Sequence, residues 1–142
     1  MVEAATEFRK SGFNDEDAAN LALVATTYQN VADDAISAGE ASNFIIAQMK
    51  AFGIEAENAS HIIDALNEVS NRFAVSSSDL SNNIGKASAA LATGNTTYEE
   101  TLGLFTGITE ITRNASRAAR GLVSIQSRLT QVLDAELSLI HI

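Results

Sequence analysis

Apolar residues recur at helical spacing along most of the chain, in segments that short polar stretches separate. The clearest segment begins at Ala56, where apolar and charged positions fall on opposite sides of a helix, roughly 165° apart at about 100° per residue. The apolar side consists of Ile62, Ile63, Leu66, Val69 and Phe73. The opposite side consists of Glu57, His61, Asp64 and Glu68. This pattern predicts an amphipathic helix that packs on a core and is central to it.

Capping signals divide the first half of the chain into further helices. Lys10-Ser11-Gly12 is a helix stop, and Asn14 followed by three acids is a helix start, which predicts a helix from Asp15 to Val31. After a break at residues 33–39, apolar residues including Phe52 return at helical spacing. Gly53 is expected to cap that helix.

The second half carries three more helix signals. The serine cluster 76–78 precedes a stripe formed by Leu80, Ile84, Ala87 and Leu91, which ends at Gly94. Thr97 and Glu100 match a capping box that starts the next helix. A turn is expected at Arg113-Asn114, because asparagine tolerates left-handed backbone angles. The last helix carries a seam that suits packing along another helix, formed by Ala115, Ala118, Leu122, Ile125, Leu129 and Val132.

Composition supports an all-α fold. The chain has no proline, and its 46% hydrophobic residues include only 6% aromatics, so helices are expected to pack closely through small side chains. We predict an irregular multi-helix bundle of about six helices in one domain, residues 1–136. Residues 137–142 are apolar, follow no cap and break the preceding pattern, so we interpret them as a non-native or disordered tail.

Charge is distributed unevenly. The net charge of −9 argues against nucleic-acid binding, and all of it lies in residues 1–71, which carry twelve acids and three bases. The last helix instead carries a basic stripe formed by Arg113, Arg117, Arg120 and Arg128. An ordinary solvated face is the favoured interpretation of this stripe, and attraction to an acidic surface is the alternative.

Candidate chemistry is sparse. The chain has no cysteine, no glycine-rich phosphate loop and no run of about 18 apolar residues, which removes thiol chemistry, nucleotide binding and a membrane span. The polar face around His61 has the spacing of a metal site, but it lies opposite the apolar face, so a solvated surface is favoured over a metal-dependent enzyme. We expect that this protein is not an enzyme and that it binds no cofactor. Gly103, Gly107 and Gly121 lie inside predicted helices, which suggests close helix approach or a local break.

An ordered set of these elements resembles the conserved core of phage tail tape measure proteins. The resemblance begins with Met49–Ile54, Ala56 and Ile62-Ile63-Asp64, and continues with Asn67–Ala74 and Ser76–Leu80. It extends through Asn95–Leu102 and Ile111–Asn114, and covers about residues 15–133. Each element is a cap, a helix face or a helix stop. The resemblance rests on their order and distances.

The resemblance implies an internal piece of a longer protein that lies in a phage tail tube, sets tail length and leaves during DNA ejection. It implies the virion and the bacterial host cytoplasm as locations. The expected partners are other copies, giving a homo-oligomer, and tail tube, tail-tip or tail assembly chaperone proteins. A cellular helical binding or signalling module is the alternative, because acidic, Ala-rich helical bundles also occur in receptors.

Overall fold

The computed structural model describes residues 1–140, which contain seven α-helices and no strand. The all-α prediction is confirmed, with one helix more than expected. The helices are α1 (Val2–Lys10), α2 (Asp15–Val31), α3 (Ala38–Phe52), α4 (Ser60–Arg72), α5 (Ser77–Ala92), α6 (Tyr98–Thr112) and α7 (Ala115–Ile140), and a short 3-10 turn (Ala56–Asn58) precedes α4.

The predicted caps form at most of the helix ends. Asn14 accepts a hydrogen bond from the Asp17 backbone N–H at 2.8 Å, and Gly53 takes a left-handed conformation at φ 65°. Thr97 and Glu100 make both hydrogen bonds of the predicted capping box. Ser37 and Glu40 form a second capping box that was not predicted, although its Ser-x-x-Glu spacing signals it in the sequence.

Two helix ends differ from prediction. Helix α5 ends at Ala92, before the expected end at Gly94, and the left-handed residue that follows it is Asn95, at φ 56°. The amphipathic segment expected from Ala56 is helical from Ser60, because its first residues form the separate 3-10 turn.

Helix α5, and not the segment from Ala56 to Phe73, lies at the centre of the bundle. It packs against α3, α4, α6 and α7, whereas α4 packs against α2, α5 and α6. Small buried serines widen the contact face of α5 beyond the predicted apolar stripe: Ser77, Ser78, Ser81 and Ser88. A face of small residues admits helices on more than one side, which explains the central position of α5.

The core combines many alanines with a few large side chains, as the composition predicts. Its alanines allow close helix contacts, and its largest members include Tyr28, Phe8 and Phe105. Tyr28 lies beside Phe44 with 5.5 Å between ring centroids. Ser88 donates a buried hydrogen bond to Gln48 Oε1 at 2.9 Å, which fixes α5 against α3.

Helix α7 continues through residues 137–140, the first part of the predicted non-native tail, and residues 141 and 142 lie outside the described residues. The assignment of 137–142 as non-native stays a prediction, as does the domain boundary at 136.

Candidate interaction surface

Helices α6 and α7 form a hairpin at one side of the bundle. Arg113 takes a left-handed conformation at φ 52° and donates its backbone N–H to the Thr109 carbonyl at 2.7 Å. Asn114 then accepts a hydrogen bond from the Arg117 backbone N–H at 2.8 Å, and so caps α7. The predicted turn is confirmed, but the left-handed residue is Arg113. Asn114 instead contributes its side-chain oxygen, which accepts the hydrogen bond that caps α7.

The seam of α7 is covered for only half of its length. Ala115 and Ala118 are buried against the bundle, and Leu122 is partly buried. Farther along the same seam, Ile125, Leu129 and Val132 are 56%, 54% and 59% exposed. The sequence correctly predicted a helix-packing seam, but the described residues supply a partner for its first half only.

Helix α7 leaves the bundle near Gln126. The Gln126 side chain lies so close to Gly94 that a Cβ at Gly94 would come within 2.6 Å of the amide oxygen. From Gln131 to Ile140 every residue is exposed. At 1.5 Å per residue, the part beyond Gln126 extends roughly 20 Å past the bundle. We call the exposed apolar residues Ile125, Leu129, Val132 and Leu133 of α7 the α7 stripe.

A small apolar cleft of about 170 Å³ lies where the α7 stripe meets the bundle. Its walls include Leu91 at the end of α5, Leu104 on α6, and Leu122, Ile125 and Leu129 on α7. The α7 stripe is therefore continuous with a concave apolar surface, which is the usual form of a site for an apolar side chain.

The glycines of the hairpin do not bring helices together. A Cβ built on Gly103, Gly107 or Gly121 would meet no atom within 4 Å, and helices α6 and α7 continue through these positions. The expected close approach and the alternative of a local break are both wrong, because these glycines lie on exposed helix faces and not between helices.

The basic stripe is exposed, as a solvated face requires. Among residues 1–140, no carboxylate lies within ion-pair distance of Arg113, Arg117 or Arg120. Arg120 donates to the Ser116 hydroxyl at 2.8 Å. Together with Lys86, Arg120 borders a groove of about 410 Å³ between α5 and α7.

The predicted packing residues on and beside α4 differ in how deeply they are buried. Ile62, Ile63 and Leu66 are fully buried, and Val69 is partly buried against the core. Phe52 of α3 is also partly buried, with its ring 5.8 Å from that of Tyr98.

Phe73 differs from the other members of this predicted face, because it is 41% exposed. Helix α4 ends at Arg72, and Phe73 has an extended backbone. The helical spacing that placed Phe73 on the apolar side of α4 therefore no longer applies at this position.

The polar face of α4 is exposed, and a contact that it makes with another helix was not predicted. His61 Nε2 lies 2.6 Å from Glu99 Oε1, at the start of α6. Hydrogen bonds from its own backbone N–H and from the His61 side chain hold the pKa of Glu99 below its usual value. Beside this pair, the buried Tyr98 hydroxyl donates to the Ile62 carbonyl at 3.1 Å. His61 and Glu99 are 38 residues apart, so no local spacing in the sequence signals their contact.

In residues 1–140, no three His, Cys, Asp or Glu side chains are grouped to hold a metal ion. None of the helices in that range is both long and apolar enough to cross a membrane. The feature that stands out is the apolar α7 stripe on an all-helical bundle. Such a surface marks a site of interaction with another molecule, as a structural or assembly protein requires.

Comparison with known proteins agrees with that class. The family model for phage-related minor tail proteins matches residues 1–138, so the chain belongs to this family. No solved structure matches the chain.

Proposed function

We propose that this chain is a structural segment of a phage or prophage tail tape measure protein, with roles in tail-length determination, tail assembly and DNA ejection. Membership of the phage-related minor tail family supports a tail role in general. The ordered elements from Met49 to Asn114 support the tape measure assignment within that role. The family match also favours this proposal over a cellular signalling module.

The observation that carries an assembly role is the exposed α7 stripe. Its branched side chains are more than half exposed on a projecting helix, and contiguous exposed apolar surface marks interaction sites in folded proteins. The segment acts by helix packing and without catalysis. Its proposed partners are other copies, the tail tube, the tail tip or tail assembly chaperones. The proposed locations are the tube lumen in the virion and the host cytoplasm during assembly.

Tail length is the measurement that tests this proposal. In a phage or prophage that encodes the chain, deletion of its gene should abolish tails or leave their length uncontrolled in electron micrographs. An in-frame duplication elsewhere in the same gene should lengthen the tails. Tails of normal and uniform length in both strains would contradict the tape measure role and would point to another minor tail function.

A further inference from the structure

We propose that the groove between α5 and α7 binds an acidic amphipathic helix of another protein. This inference deepens the proposed function by naming the chemistry of one partner, and it rests on that proposal for its biological setting only. The groove shares no lining residue with the α7 stripe, so it is a separate surface. The evidence for the contact lies in the shape of the groove, its apolar interior and the cations at its edges.

Small side chains form the interior of the groove. Ala87 of α5 and Ala119 of α7 are buried where the two helices pack together, and both line the groove. Val123, which is partly buried against the core, adds a branched apolar wall. The volume of about 410 Å³ lies within the range of roughly 300–1,000 Å³ that is usual for ligand sites. The groove is therefore deep enough to take apolar side chains of a partner.

The two walls favour a helix as the occupant. The groove lies beside residues 83–87 of α5 and 116–124 of α7, and Gly94 meets Gln126 farther along both helices. The two helices therefore run in the same direction, and the groove between them extends for roughly 15 Å, or about three helical turns. A groove between two helices receives the ridge of a third helix, through apolar residues at positions i, i+3 or i+4, and i+7.

An extended segment fits less well than a helix. Such a segment binds by adding a strand to a sheet edge, where its backbone N–H and C=O groups find partners. Residues 1–140 contain no strand. A helix satisfies its own backbone groups and needs from the groove only contacts with its side chains.

The cations at the edges of the groove indicate an acidic partner. Lys86 projects from α5 and Arg120 from α7, and within residues 1–140 neither has a carboxylate at ion-pair distance. Arg120 donates a hydrogen bond to the Ser116 hydroxyl at 2.8 Å, but a neutral hydroxyl leaves the positive charge without a counter-ion. Carboxylates on both flanks of a bound helix would form charge-assisted hydrogen bonds with these two side chains.

The wider charge of the walls supports the same partner. Within a chain of net charge −9, α5 and residues 115–130 of α7 carry four bases and one acid, Asp79. The bases are Lys86, Arg117, Arg120 and Arg128. A positive surface favours an acidic partner and disfavours a basic one. The occupant that fits is therefore a helix with an apolar face between two acidic flanks.

The first test uses a synthetic peptide of about 14 residues, held helical by a side-chain staple, with leucines on one face and glutamates on both flanks. Fluorescence anisotropy of the labelled peptide, titrated with the full chain, should give a dissociation constant of about 10–500 μM, because the contact is small. Control peptides with lysine in place of glutamate, or serine in place of leucine, should bind at least about tenfold more weakly. Equal binding of the acidic and basic peptides, or no binding of the acidic one at about 1 mM, would overturn the inference.

The second test locates the peptide on the chain. Lys86→Glu and Arg120→Glu should each weaken binding by about threefold to tenfold, because each replaces an attraction by a repulsion. The matched control is Arg117→Glu, which makes the same charge change on the same helix at a residue outside the groove lining. Leu129→Asp controls for binding at the α7 stripe. A loss in Arg117→Glu equal to that in Arg120→Glu, or loss of binding in Leu129→Asp alone, would place the peptide elsewhere and refute the groove. Circular dichroism shows whether each variant is folded.

The third test reverses the charge preference. The double variant Lys86→Glu and Arg120→Glu should bind the lysine peptide more tightly than the glutamate peptide, a change that damage to the fold cannot produce. An unchanged preference would contradict recognition by these two residues. Displacement of the acidic peptide by a DNA duplex, or self-association of the chain that Arg120→Glu abolishes, would identify a different occupant and reject the helical partner.

Failure of this inference is distinguishable from failure of the proposed function, because the peptide titrations need no phage. Groove-dependent binding of the acidic peptide, together with normal tails in the deletion strain, would reject the tape measure role and support the groove. Defective tails in the deletion strain, together with no binding of the acidic peptide, would reject the groove alone.

Discussion

Helices α4 and α7 have similar apolar stripes but opposite environments. Ile62, Ile63 and Leu66 of α4 are at most 2% exposed, whereas Ile125, Leu129 and Val132 of α7 are more than half exposed. Both stripes have the spacing of an amphipathic helix. The difference shows that such spacing identifies the side of a helix that needs a partner, and does not identify which partner covers it.

The neighbours of each helix produce this difference. The α4 stripe is enclosed by α2, α5 and α6, and the start of α6 is fixed to α4 by the Tyr98 hydroxyl. Helix α7 is longer than the helices it packs on, so α5 and α6 cover only its first part. Substitutions at equivalent positions of the two stripes should therefore have very different effects on the stability of the fold.

Leu66→Asp should have the largest effect. It places a carboxylate without a partner in the core, so we expect the free energy of unfolding to fall by several kcal/mol. Thermal unfolding followed by circular dichroism measures this loss. Asn67→Asp is the matched control, because Asn67 is the next residue and is partly exposed. An aspartate there should lower the free energy of unfolding only slightly. Equal melting temperatures for Leu66→Asp and the parent chain would contradict the buried position of the α4 stripe.

Thr97→Ala tests how the α6 start supports α4. The substitution removes the side-chain half of the capping box and should destabilise the fold by about 1 kcal/mol. Thr97→Ser keeps the hydroxyl and should retain most of the stability. Urea unfolding of the three chains provides the comparison. If Ala and Ser variants are equally stable, the cap contributes nothing to the α4 side of the bundle.

Gly107→Ala should stabilise the fold by up to about 1 kcal/mol, because alanine is the better helix former and the added Cβ meets no atom within 4 Å. Gly53→Ala provides the opposite control. Gly53 has φ 65°, a conformation that costs an alanine roughly 1 kcal/mol or more. A loss of stability in Gly107→Ala would mean that this face of α6 is covered.

The pH dependence of stability should change slightly in Glu99→Gln. The depressed pKa of Glu99 contributes stability above its unfolded-state pKa, and this contribution is lost as the pH falls through the folded-state pKa. The glutamine variant should therefore lose less stability than the parent between about pH 5 and pH 3. Identical acid unfolding profiles would contradict the depressed pKa of Glu99.

Leu129→Asp should have the smallest effect on the monomer. Its side chain is mostly solvated at dilution, so we expect the free energy of unfolding to change by no more than about 0.5 kcal/mol. Melting curves at low micromolar concentration measure this, with Leu66→Asp as the contrasting variant. A loss as large as that of Leu66→Asp would show that the α7 stripe is covered within one chain.

Local signals predicted most of the secondary structure. Caps such as Asn14, Gly53 and Thr97 act through hydrogen bonds to neighbouring residues or through their own backbone angles, so their spacing is visible in the chain. Predictions were wrong where a neighbouring residue took the expected conformation or where a helix ended earlier than expected. Arg113 took the left-handed position expected of Asn114, and Phe73 lies just beyond the helix that would have buried it.

The contacts of the candidate surface were less predictable, because they join residues distant in sequence. The pair of His61 and Glu99 and the approach of Gln126 to Gly94 have no local signature. The glycines of α6 and α7 illustrate the same limit. Their positions suggested close packing, but only the arrangement of helices reveals that they face open space.

The sequence by itself determined an all-α chain, most of the places where its helices begin and end, and the side of most helices that avoids water. These properties depend on hydrogen bonds and side-chain spacing within a few residues. Tertiary structure alone decided that α5 is central, that α4 is enclosed and that α7 extends beyond the helices it packs on. These outcomes depend on the relative lengths and crossing positions of distant helices, and they leave the α7 stripe exposed for a partner.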